Sequence, residues 1–168
     1  MATRTPEGEL DIDGFTVMYM FEYDTDSGPP WADEDVDLMR HGYLRADKKN
    51  NERPILTNQG EYWFFDWAAA CKLARRDKWN TPPYNAPNQV ERAVQNLFDY
   101  YKAYLNEEWH YVGITVWLAE HPQYEHAVWG FETYQDYHKE EVPRLAEELV
   151  HMYLDDLQAG NYRPREDK

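Results

Sequence analysis

The stretch Trp109–Glu132, WHYVGITVWLAEHPQYEHAVWGFE, decides the fold. Its first run sets His110, Val112, Ile114, Val116 and Leu118 against Trp109, Tyr111, Gly113, Thr115 and Trp117, a period of two that argues for a strand and against a helix. One side is aliphatic and the other aromatic. Such a strand is central: both faces are covered, or one is covered and the other is a contact surface. After a connection holding Pro122 and Gln123, where a proline breaks no ladder, Ala127–Glu132 supplies the partner strand. Ala127, Trp129 and Phe131 fall on one of its sides, Val128 and Gly130 on the other. Gly113 and Gly130 leave room for an aromatic ring over each.

Toward the N-terminus, Gly14–Phe21 reads as another strand of the same sheet, with Phe15, Val17, Tyr19 and Phe21 on one face and Met18 and Met20 on the other. Residues 22–37, EYDTDSGPPWADEDVD, hold seven carboxylates, no base and the Gly28-Pro29-Pro30 breaker, and read as a loop. Residues 38–53 turn basic and irregular, with a short strand at Gly42–Arg45, so 22–53 forms an acidic then basic insertion. Pro54–Phe65 gives a hairpin turning at Asn58-Gln59-Gly60. Asp66 is placed to cap a helix over WAAACKLARRDK, which Asn80-Thr81-Pro82-Pro83 stops.

A second helix follows Pro87, its stripe formed by Val90, Val94, Leu97, Phe98, Tyr101 and Leu105. A third begins within Tyr137–Val142 and runs to Gly160, with Val142, Leu145, Leu149, Met152, Tyr153 and Leu157 on one side; Pro143 must stand in a first turn or mark a kink. Both stripes are expected on the aliphatic side of the central strand. Residues 1–13 and 160–168 are expected to fray. The order predicts one α+β domain over 1–168, a mainly antiparallel sheet with helices packed on one face.

A chain of 168 residues can bury its own core, and 14 Tyr, 7 Trp and 6 Phe make that core aromatic. The lone Cys71 excludes an internal disulfide and reads as a buried structural thiol. The opening MATRTPEGEL has no apolar export segment and no window approaches a membrane span, so a cytoplasmic location is expected. The net charge of −15 opposes direct binding to nucleic acid or an anionic membrane and favours basic partners. Residues 1–37 sum to −10, 38–92 to +4 and 93–168 to −9.

No cofactor motif is present and no cofactor is expected; an enzymatic role is disfavoured. Asp24, Asp26, Asp33, Asp35 and Asp37 are oxygen ligands in type, but Gly28 falls fifth in its loop and Asp35 twelfth, where a calcium loop needs glycine sixth and glutamate twelfth. His41, His110, His121, His126, His138 and His151 show no zinc spacing, and the row Glu147, His151, Asp155 reads as a solvated helix face. No metal site is assigned. The helix face of Lys72, Arg75 and Arg76, near Trp63, Trp67 and Trp79, has the residue types of a phosphate contact, but internal pairing with the acidic ends is the plainer reading.

EYDTDSGPPW (22–31), YWFFDWAAACKLARRDKW (62–79), EEWHYVGITV (107–116) and VWGFET (128–133) together resemble a group of small acidic proteins encoded by tailed bacteriophages, over most of residues 15–158. That group often carries a glycine- and histidine-rich stretch where this chain has only Arg40-His41-Gly42. The resemblance implies a phage protein in an infected bacterial cytoplasm. With the charge, it leads to the expectation of an anti-defence or DNA-mimic-like inhibitor that binds a basic, nucleic-acid-binding host protein. The alternatives are a small metal-dependent hydrolase using the acidic loop, or a virion or assembly component. The expected partner surface is Asp24, Asp26, Asp33, Glu34, Asp35, Asp37, Glu147, Glu148, Asp155 and Asp156; the aromatic face of Trp109, Tyr111 and Trp117, with Trp129 or Phe131, is expected to be closed by the 55–65 hairpin or to serve as the contact of a possible homodimer.

Overall fold

The computed structural model describes residues 4–30, 43–46, 55–58 and 61–164, without the side chains of 43–46, 55–58 and 61–64. The α+β class and the mainly antiparallel sheet with helical packing on one face are as expected. The chain gathers into two compact units: unit 1 is Met1–Ser27 with His110–Lys168, and unit 2 is Gly28–Trp109.

Unit 1 is a four-stranded antiparallel sheet in the order β1 (Gly8–Ile12), β2 (Phe15–Tyr23), β6 (Tyr111–Leu118), β7 (Glu125–Glu132), with helix α3 (Tyr137–Gln158) on one face. The two strands read from Trp109–Glu132 are β6 and β7, except that Trp109 and His110 precede β6. Strand β1 corrects the expectation of a frayed N-terminus. It pairs with β2 from Gly8↔Tyr19 to Ile12↔Phe15 around Asp13-Gly14, both at positive φ (52° and 86°), the two-residue turn that suits the twist of paired strands. An Asp-Gly between alternating runs was there to be read.

The aliphatic side of β6 faces α3 as expected. Val17, Ile114, Val116 and Leu118 pack on Val142, Leu145, Ala146, Leu149, Val150 and Tyr153. Helix α3 runs through Pro143 and closes with Gly160 at φ 71°, where the Gly160 and Asn161 amides donate to the carbonyls of Leu157 and Asp156. The chain beyond it does not fray at once, which corrects the second fraying expectation. Gln123 donates to the Tyr162 hydroxyl and the Arg163 carbonyl, and the Arg163 amide donates to the Tyr124 hydroxyl.

The two strand glycines do different work. An added Cβ at Gly113 would stand 2.4 Å from the Trp129 ring, so this glycine makes the floor under an indole, as expected. Among the described residues nothing comes within 4 Å of a Cβ added at Gly130. Its φ of 88° bends β7 in a bulge, and the register slips between Val112 and Ile114. The slip corrects the expected faces of β7: Phe131 joins Val128 against the core, while Trp129 stays on the side away from α3.

Unit 2 holds a three-stranded antiparallel sheet, β3 (Tyr43–Ala46), β5 (Glu61–Phe65) and β4 (Ile55–Asn58) in that order, and helices α1 (Trp67–Arg76) and α2 (Gln89–Leu105). The 55–65 hairpin is therefore part of its own sheet. Asp66 caps α1 as expected, accepting from the Ala69 amide at 3.0 Å. Helix α1 stops before Asn80: Lys78 turns left-handed (φ 53°) and the Trp79 amide donates to the Ala74 carbonyl. The stripe of α2, expected on the central strand, finds its core within unit 2. Val94 and Tyr101 pack with Phe65, Ala70, Cys71 and Ala74 in a second core, because 28–109 closes on itself. Cys71 is buried, and burial raises its thiol pKa, consistent with a structural thiol.

Unit 2 is an insertion between β2 and β6, strands that pair directly from Val17↔Leu118 to Tyr23↔Val112.

Candidate functional site

Charge follows the two units. Unit 1 carries 19 Asp and Glu against 6 Lys and Arg, a net of −13, while unit 2 carries 13 against 11, a net of −2. The sequence places this charge at two ends of the chain; the sheet brings those ends together.

On α3 the expected solvated row of Glu147, His151 and Asp155 is exposed, and Glu140, which the spacing did not single out, extends it by two turns. From Glu140 to Asp155 the row spans about 22 Å at the usual helical rise. Two expected partner residues have basic neighbours within unit 1. Glu148 accepts from Arg144 at 2.6 Å and lies 3.2 Å from the His126 ring, and Asp156 stands 3.3 Å from Arg163.

In the acidic loop, Asp26 is exposed but Asp24 is 8% exposed. The Asp24 carboxylate accepts from the amides of Asp26 (3.0 Å) and Ser27 (3.1 Å) and from the Ser27 hydroxyl (2.9 Å). Its own amide donates to the Tyr111 carbonyl, prolonging the β2–β6 ladder by one bond. Burial alone would raise its pKa, yet the Ser27 hydroxyl and the amides of Asp26, Ser27 and Gly130 outweigh burial and lower it. Asp24 is thus a structural turn residue at the exit from unit 1. Asp33, Glu34, Asp35 and Asp37 lie outside the described residues.

Two residues of the expected dimer face, Trp109 and Trp117, are buried within the chain. Trp109 is 2% exposed and belongs to unit 2, where its ring stacks on Tyr100 at 4.7 Å and its indole N–H donates to the Tyr100 carbonyl. Trp117 is 7% exposed, with the Arg4 guanidinium 5.3 Å from its ring centre and Arg4 itself paired to Glu125. Tyr111 is half-buried. Only Trp129, 51% exposed, keeps the character expected of a contact residue. The basic face of α1 pairs close by, Arg75 with Glu91 and Arg76 with Asp77.

His138, missed by sequence reasoning because one histidine in an amphipathic helix carries no signal, is 7% exposed with its edge toward Phe21 and its Nδ1 unpartnered among the described residues. Burial holds its imidazole pKa below the ordinary 6.5; Lys139 and His110 push the same way and Asp136 opposes. The folded state therefore binds fewer protons here than the unfolded chain. Its contribution to stability is complete above pH 6.5 and is lost as pH falls toward the lowered folded value. Denaturant midpoints of unit 1 are expected to drop from pH 7 to pH 5 in the native chain and to flatten in His138→Leu; equal slopes in both would refute the assignment.

Among the described residues no three His, Cys, Asp or Glu side chains are placed to hold a metal ion, and no helix is long and apolar enough to cross a membrane. An open cleft of about 410 Å3 lies between the β1–β2 hairpin and the start of α3, walled by Leu10, Tyr19, Phe21, Val142 and Pro143. No protein-family model, no curated protein and no solved structure matches this chain.

Proposed function

We propose that the protein is an acidic binding module that captures a basic protein, and that it acts as a phage-encoded inhibitor by occupying the surface its host partner offers to nucleic acid. The observation that carries this reading is the segregation of charge, −13 on unit 1 against −2 on unit 2. A basic groove attracts an array of carboxylates by the same forces that attract phosphates, so capture is fast, salt-sensitive and competed by nucleic acid.

The acting acids are Asp26, Glu140, Glu147 and Asp155, which are exposed; Asp24, Glu148 and Asp156 support the fold. The test is capture from host extract on the immobilised full chain, with captured proteins identified by mass spectrometry. The expected result is a basic nucleic-acid-binding protein that duplex DNA displaces and that the variant Glu140→Lys, Glu147→Lys, Asp155→Lys no longer holds. Exposed helix charges contribute little to stability, so this variant keeps its fold. Asp24→Ala does the opposite, costing about 1–2 kcal/mol of stability by orphaning three donors while leaving capture intact. Capture that survives triple reversal and ignores DNA would sink the reading.

A further inference from the structure

We propose that the free edge of β1 accepts a basic, extended polypeptide segment as a fifth strand of the unit 1 sheet; this rests on the reading that the partner is a basic protein. Strand β1 ends the sheet, and among the described residues it pairs with β2 alone. The two-residue turn at Asp13-Gly14 makes Ile12↔Phe15 a mutually hydrogen-bonded pair, and alternation makes Leu10↔Val17 and Gly8↔Tyr19 the next such pairs. The N–H and C=O of Glu9 and Asp11 consequently point away from β2, along the open edge.

The side chains of β1 state what an added strand must carry. Gly8, Leu10 and Ile12 face the α3 side and are only half-buried at this edge, while Glu9 and Asp11 are exposed on the other side. An incoming strand inherits that alternation: apolar residues toward α3, basic residues beside the two carboxylates. The cleft next to β1 gives the apolar residues a place, with Leu10, Tyr19, Phe21, Val142 and Pro143 on its walls. Its charged lining is Glu7, Glu9 and Lys139, and Lys139 is paired to Asp136 at 3.1 Å, so the carboxylates set its sign. A second copy of the chain fits poorly, because antiparallel β1 strands would bring like carboxylates face to face.

The test uses the full chain and a capped hexapeptide alternating lysine and valine, with the same peptide in alternating L and D residues as a control of equal charge that cannot present lysine and valine on opposite faces of a strand. Amide hydrogen exchange is read by NMR. With the all-L peptide, the Glu9 and Asp11 amides should slow by about tenfold or more, and the mixed-chirality peptide should leave them unchanged. Glu9→Pro removes an outward N–H without breaking the β1–β2 ladder and should abolish the preference for the all-L peptide. Glu9→Gln keeps that N–H and should weaken binding by no more than about fivefold. Equal binding of both peptides, protection at α3 instead of β1, or protection that rises with protein concentration alone would overturn the proposal. The wild-type comparison stands even if Glu9→Pro does not fold. If capture from extract remains salt-sensitive and DNA-competed while Glu9 and Asp11 stay unprotected, only the added strand is refuted; if no basic protein is captured, the reading beneath it falls.

Discussion

Replacing Trp109 by alanine is expected to lower the stability of unit 2 by about 3–5 kcal/mol, the range for a buried tryptophan cut to a methyl group. Two residues past the end of α2 the chain turns at Glu107 (φ 59°), the Glu107 amide donating to the Tyr104 carbonyl and the Glu108 amide to the Ala103 carbonyl. This turn sends the chain back so that Trp109 meets the face of α2 it has just left. There it stacks on Tyr100, meets Tyr104 at 4.9 Å between ring centres, and donates its N–H to Tyr100 at 2.9 Å. Alanine removes the ring and leaves a cavity. Exchange protection of α2 amides against urea measures the loss. A surface or dimer role for Trp109 would give the other outcome, a stable unit 2 with changed association in light scattering.

Ile114→Ala is expected to cost about 2–5 kcal/mol in unit 1. Ile114 is fully buried at the centre of the sheet, between Phe21 on β2 and Val128 on β7, and packs in the cluster that α3 closes. Its neighbours sit on three different elements, so no single side chain can move to fill the gap. The variant should lose protection in β6 and α3 before α1 and α2, since the α1–α2 core is a separate cluster. A loss below about 1 kcal/mol, or equal loss in both clusters, would contradict this account.

The two substitutions act on different cores, and that division was not legible beforehand. Periodicity identified the stripes of α2 and α3 correctly, but a stripe records only that a face is buried, not against what. Assigning both to the central strand was the simplest closure of one sheet. The chain instead puts Val94 and Tyr101 with Phe65 and Ala74 in an inserted unit. The place of Trp109 is hidden for a related reason: alternation at the end of a run does not reveal where hydrogen bonding begins, and β6 starts at Tyr111.

The candidate surface divides in the same way. Exposure of Glu147, His151 and Asp155 followed from their spacing opposite the stripe, because helical angle is a local property. Neutralisation is not. Arg163 reaches Asp156 only because the chain doubles back after Gly160, and His126 reaches Glu148 only because β7 lies beneath α3. Asp24 looked like one acid among seven in a loop, and its role rests on Ser27 and on Gly130, more than a hundred residues away.

What the sequence determined by itself is whatever short-range stereochemistry controls. That covers the alternating run of β6, the Asp66 cap, the glycine at the end of α3, the floor left by Gly113, and the excess of negative charge. The tertiary structure alone decided the division into two cores, the bulge at Gly130 that separates Trp129 from Phe131, the burial of Trp109 and Trp117, and which carboxylates remain exposed. These depend on groups distant in sequence meeting in space, and burial and ion pairing are settled by the partner that arrives, which no local pattern encodes.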